Sequence, residues 1–287
     1  MATSSIRHRD NQALVGLALG AGGTKGWAHI GVIKVLHEAG VPIDLIVGAS
    51  AGALIGPLYA VRRDVAAMER IALSFTPPAF TEWFLRGLRI APDGGRIARH
   101  LWEAYGRYAF EEMAVPFAAI AHDLATGARL VLREGSVARA VEASIRPPIL
   151  GQPTRIEGRW LVDGGLQSAV PTDVALQMGA RVVIAVNVGE LYRLPRSLRP
   201  QAARLGRTLR ERAARPEGLP NQIGFMLGLI ARERVVGPRL QVEIRPDMRG
   251  ITAFSPWQIA LAVRRGEAAA RKALPAIELA LASVSAA

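Results

Sequence analysis

Residues 43–63 read IDLIVGASAGALIGPLYAVRR, and this stretch decides the architecture. Ile43 to Val47 reads as a buried strand, and Ala51 to Arg63 as an apolar helix directly behind it. Between them stands Gly48-Ala49-Ser50-Ala51-Gly52, a Gly-x-Ser-x-Gly pattern. In that context it predicts a nucleophile elbow. The glycines permit a sharp turn, and the serine hydroxyl is held at the carboxyl end of a strand. The adjoining helix N-terminus favours developing negative charge there. The plainer reading is an N-cap serine in a glycine-rich turn. Leu45 to Val61 carries no charge, but Gly48, Gly52, Gly56 and Pro57 interrupt it and it is short for a bilayer span.

Working outward, Leu14 to Leu19 reads as a second buried strand and Trp27 to Ala39 as a helix ended by Gly40. Strand and helix alternating at this spacing predict a parallel α/β sheet. Further strands are expected at Phe117–His122, Arg129–Leu132, Val182–Val188 and Leu240–Ile244. Further helices are expected at Arg62–Leu73, Val137–Ala143, Pro171–Met178 and Pro256–Val284, the last kinked at Pro275. The polar residues 1–12 read as a disordered tail, and 13–287 as one domain with two excursions. Phe75 to Phe110 holds eight of the sixteen aromatic residues, which suits either a lid or acyl-chain wall, or plain helical core. Arg193 to Arg215 holds eight arginines and one acid, Glu211. Leu205 and Leu209, with Ala202 and Ala213, give a helix from Gln201 an apolar stripe suited to an anionic membrane surface. A solvated helix face is the alternative.

The chain of 287 residues carries 36 Lys and Arg against 24 Asp and Glu, a formal charge of +12. Such a surface favours anionic partners without choosing among them. No nucleic-acid-binding fingerprint is visible. There is no cysteine, which excludes disulfides, zinc–cysteine sites, iron–sulfur clusters and cysteine nucleophiles. With no signal peptide visible, a cytoplasmic location is the expectation.

A second glycine-rich stretch, Gly20-Ala-Gly22-Gly23-Thr24-Lys25-Gly26, follows the first strand. It fails the dinucleotide fingerprint, because Lys25 stands where glycine is required, and it fails the P-loop pattern at Thr24 and Gly26. Its backbone N–H groups suit an oxyanion instead, with Lys25 adding charge. A nucleophilic serine needs a base. The histidines are His8, His29, His37, His100 and His122; none follows residue 122, so a late catalytic histidine is missing, and His100 and His122 stay open without a recognisable setting. A carboxylate at a strand end, Asp163 before Gly164 and Gly165, is a further candidate. An Asp-Gly turn is its plain alternative.

Taken together, these segments resemble the patatin-like phospholipases, including small bacterial members and the catalytic domain of neuropathy target esterase. Gly20 to Gly26 with Trp27-Ala-His-Ile-Gly-Val-Ile resembles their oxyanion segment, Gly48 to Gly52 their serine elbow, and Asp163-Gly164-Gly165 their Asp-Gly-Gly/Ala motif. Ala121 to Gly127, Val170-Pro171 and Gly179 to Ile184 match further. The resemblance implies a three-layer α/β/α fold with a mainly parallel central sheet. It implies a Ser50–Asp163 dyad, an oxyanion site at Gly22 and Gly23 with Lys25 nearby, no metal or cofactor, and lipid or other acyl-ester substrates. The segment Ala143 to Pro153 departs from the family: Arg146 stands where a small residue is common, which makes it a candidate for selecting an anionic head group, with a solvated surface arginine as the alternative. A soluble carboxylesterase, thioesterase or acyltransferase, and a non-enzymatic membrane-associated regulator, are the competing readings.

Overall fold

The computed structural model describes residues 14–93, 95–148, 152–166, 170–189, 196–213, 241–252 and 255–285. The tail 1–12 and residues 149–151, 193–195, 214–215 and 240 of the sequence-based expectations lie outside them. Eight strands form one sheet: β1 (Val15–Leu19), β2 (Leu45–Ala49), β3 (Phe117–Asp123), β4 (Arg129–Leu132), β5 (Thr154–Ile156), β6 (Arg159–Asp163), β7 (Val182–Val186) and β8 (Gln241–Ile244), ordered β5-β6-β3-β2-β1-β7-β8 with β4 also on β3. The β3-β2-β1-β7-β8 portion is parallel. The strands β4, β5 and β6 run antiparallel to their neighbours.

The helices are α1 (Ala28–Glu38), α2 (Ala51–Ala60), α3 (Val65–Ser74), α4 (Pro77–Leu85), α5 (Arg96–Leu101), α6 (Val137–Ser144), α7 (Thr172–Gln177), α8 (Arg199–Ala213) and α9 (Ile259–Ser285). Strand alternation divides the core. Val15, Leu17, Leu19, Ile46 and Ile184 face the side covered by α1, α2, α3, α6 and α9. Ala18, Leu45, Val47, Ala118 and Val183 face α7. That places helices on both faces of a mostly parallel sheet, as the elbow stretch implied. Helix α9 lies along α1 at a distance only glycine allows. A Cβ on Gly31 would stand 2.0 Å from the Val263 carbonyl oxygen, and one on Gly266 would stand 2.0 Å from that of Ala28.

Some boundaries differ from expectation for local reasons. The helix after Ser50 stops at Ala60, and Arg63 takes a positive φ of 58°. The next helix starts at Val65 rather than Arg62, because the Asp64 carboxylate caps it by accepting the Ala67 N–H at 2.8 Å. Strand β5 is three residues long, too short for a periodic signal.

The β3 pairings carry the site. Ile120 pairs with both Ala49 of β2 and Val131 of β4, so those strands lie on opposite edges. Ala121 pairs with Leu130 of β4 and Asp163 of β6, which puts β6 on the β2 edge. One strand arrives parallel to β3 and the other antiparallel, and their last residues meet end to end.

Candidate active site

Ser50 follows β2 and precedes α2 with φ 53° and ψ −116°, the strained backbone expected of an elbow. Its N–H donates to Ser144 Oγ at 3.0 Å. Helix α2 sits so close to the sheet that a Cβ on Gly52 would lie 2.1 Å from the Leu19 carbonyl oxygen. Close packing under the serine therefore requires glycine.

The Ser50 hydroxyl donates to Asp163 Oδ2 at 2.7 Å, and the Gly165 N–H donates to Oδ1 at 2.7 Å. Both side chains are buried. The Asp163 backbone is pinned on two sides: its N–H donates to the Arg146 carbonyl at 2.8 Å, and its carbonyl meets His122 Nδ1 at 3.0 Å. Burial is the largest influence on the carboxyl and raises it to about 6, against lowering contributions from the Gly165 N–H and the Ser50 hydroxyl.

Sequence reasoning singled out Ser50 and Asp163, 113 positions apart, and the fold brings them into contact. It overlooked Ser144 and His29. The His29 Nε2 contacts the Gly20 carbonyl at 2.8 Å and anchors the glycine-rich segment. Nothing local marks Ser144, whose contact is with an element distant in sequence, whereas His29 stands in the stretch directly after the glycine-rich segment it holds.

A pocket opens beside Ser50, lined by Gly23, Thr24, Trp27, Ala51, Leu54, Phe75, Phe80, Trp83, Phe84, Leu88, Ile145, Pro147, Pro256 and Ile259, with Asp163 at its polar end. The aromatic-rich excursion thus divides. Phe75, Phe80, Trp83 and Phe84 wall the pocket and pack edge to face or stacked, on the same core that holds Tyr105 and Phe110, which do not line it. Gly23 opens a 3-10 turn (Gly23–Trp27) and Ala51 opens α2. The first N–H groups of a helical turn have no acceptor within it, so both pocket-lining residues bring such groups beside the serine.

The Lys25 side chain lines a separate cleft with Asn187, Gly189 and Arg249, because the 3-10 turn carries it away from the face that holds Gly23 and Thr24. Gly22 lies against Val188 and is not among the pocket-lining residues. Arg146 is neither solvated nor in the serine pocket: its carbonyl supports Asp163, while its buried side chain lines a different cleft. Along α8 (Arg199–Ala213) the expected stripe has Ala202 buried and Leu205 exposed, and the side chains of Leu209 and Ala213 lie outside the described ones. Among the described residues no group of His, Asp and Glu is arranged to hold a metal ion. No described helix is long and apolar enough to cross a membrane.

An α/β fold with a buried serine at an elbow and a carboxylate against it defines a narrow class of proteins. The family pattern of the patatin-like phospholipases matches residues 17–176, more than half the chain, and the chain belongs to that family. It is 31% identical over 186 residues to neuropathy target esterase sws of Drosophila melanogaster, a match covering 61% of this chain and 13% of that protein. It is 34% identical over 194 residues to human patatin-like phospholipase domain-containing protein 6, covering 61% and 13%. It is 34% identical over 187 residues to lysophospholipase NTE1 of Mycosarcoma maydis, covering 62% and 10%. The match thus spans about an eighth or less of these relatives. Among solved structures, VipD from Legionella pneumophila shares the fold at a TM-score of 0.50 and 14% identity, covering 93% of this chain and 67% of that one.

Proposed function

We propose that the chain is a serine lipid acyl hydrolase of phospholipase or lysophospholipase type, with Ser50 as nucleophile and Asp163 as its base. The observation that carries this reading is the 2.7 Å hydrogen bond from the Ser50 hydroxyl to Asp163 at the polar end of an apolar pocket. Asp163 takes the hydroxyl proton as Ser50 Oγ attacks the ester carbonyl. The Gly23 and Ala51 N–H groups face the oxyanion, with the α2 dipole behind them. Collapse expels the alcohol or lysolipid, which receives the proton from Asp163, and leaves an acyl group on Ser50. Water, deprotonated by the same carboxylate, then releases the fatty acid. An ester leaving group needs less proton assistance than an amide, so a base with its pKa near 6 suffices. Phe75, Phe80, Trp83 and Phe84 supply the wall for the acyl chain. Lysophospholipase in a relative's name favours a lipid ester over a soluble one, and the basic surface suits peripheral contact with anionic membranes.

The test is labelling by a fluorophosphonate probe alongside hydrolysis of a lysophospholipid and of p-nitrophenyl esters. Wild type labels and turns over. Ser50→Ala loses both, and Asp163→Asn loses turnover by at least a hundredfold. Undiminished labelling of Ser50→Ala would overturn the assignment. Turnover of the soluble esters alone would favour the carboxylesterase reading.

A further inference from the structure

On the other side of the segments that wall the serine pocket lies a cleft of about 400 Å³ lined by Arg86, Arg89, Arg139, Arg146 and Arg155, with Glu142 as the acid among its described lining residues. That carboxylate is already engaged. Its Oε1 accepts the Ile90 N–H at 2.5 Å, and its Oε2 accepts from Arg139 at 2.9 Å. Arg86 pairs with Glu82 at 3.1 Å, and Arg155 lies over the Trp160 ring. Arg89 and Arg146 have no carboxylate partner among the described residues.

Arg146 is the decisive member. It is 6% exposed, and its Nε is buried without an acceptor. A desolvated, unpaired guanidinium is costly, and proteins rarely keep one without a counter-charge. Burial pulls its pKa down, Glu142 opposes that, and the nearby charges of Arg139 and Arg89 lower it further. Five arginines therefore line this cleft against the single carboxylate of Glu142 among its described lining residues. Several guanidinium forks around one point suit the oxygens of a phosphate group better than the two of a carboxylate.

We propose that this cleft binds a phosphate group. Ile145 and Pro147 face the serine pocket while Arg146 between them faces the cleft, so the two sites are distinct. The bound phosphate belongs either to a soluble phosphate ester or to a lipid head group, and the two sources are separable.

Calorimetric titration at low ionic strength with inorganic phosphate and with glycerol 3-phosphate tests the site without reference to turnover. Wild type binds, and Arg146→Gln weakens binding by about tenfold or more, the loss of one charge-assisted contact. Arg89→Gln, at an exposed position that leaves the core intact, weakens it in the same direction. Arg245→Gln, in a different cleft, does not. Flotation with phosphatidylcholine vesicles, with and without phosphatidic acid, identifies the source. Capture that requires phosphatidic acid and is lost in both cleft variants assigns a head group, while soluble binding without such capture assigns a soluble ester. If neither probe separates wild type from Arg146→Gln and Arg89→Gln, the proposal is overturned.

Discussion

Asp163 is held in a position that disfavours the form its proposed role requires. Burial lifts its carboxyl from 3.8 to about 6, so between those values the native state holds a proton that the unfolded chain has released. Stability therefore falls as pH rises through that window, by about 3 kcal/mol. His29 acts in the opposite sense. Its burial, the larger influence, holds the imidazole down from 6.5 to about 4 against the Gly20 carbonyl, which raises it. The unfolded chain takes up that proton first, so stability is lost as pH falls through that window. The two slopes largely offset each other in wild type. Chemical denaturation across this range is expected to show Asp163→Asn gaining stability relative to wild type as pH rises from about 4 to 6, by about 3 kcal/mol. Parallel curves for the two proteins would contradict a raised carboxyl. Hydrolysis of soluble esters is expected to fall away below pH about 6, as the base becomes protonated. Ser144→Ala leaves the buried Ser50 N–H without its acceptor. The expected cost is about 1–3 kcal/mol in unfolding free energy, with kcat lowered more than KM is raised.

At the level of elements, legibility follows locality. The elbow could be read because strand, glycines and helix are contiguous from Ile43 to Arg63. Asp163 could be read only as an acid at a strand end. Its meeting with Ser50 depends on β3 receiving β2 and β6 end to end on one edge, a register set by segments far apart in sequence. The orientations of Lys25 and Arg146 were not legible either, because a 3-10 turn and a loop decide which cleft each side chain enters. The antiparallel β4–β6 region was only half visible, since β5 has three residues and no period. The α1–α9 crossing makes a prediction of its own. Gly31→Ala or Gly266→Ala drives a methyl into a facing carbonyl, and each is expected to cost about 1–3 kcal/mol or more by thermal unfolding. A Tm equal to wild type would mean that the two helices can part without penalty.

Across the whole molecule, the serine pocket draws its walls from widely separated parts of the chain. Leu85 and Trp257, 78% and 69% exposed, adjoin the pocket-lining Phe84 and Pro256, so exposed apolar groups stand next to the residues that wall it. If the substrate is presented in a bilayer, Trp257→Ala lowers turnover on vesicles while sparing that of a short soluble ester. Equal losses on both substrates would remove Trp257 from any interfacial role. The junction of the two ends of the domain has a consequence in time. Trp27 and Thr24 meet Pro256 and Ile259 across the pocket, and Thr24 Oγ1 accepts the Ser255 N–H at 3.1 Å. During translation the serine, its carboxylate and most of the sheet emerge well before that wall can close. A ribosome-bound chain stopped ahead of residue 255 would carry both Ser50 and Asp163 and still lack the pocket wall that Pro256 and Ile259 supply.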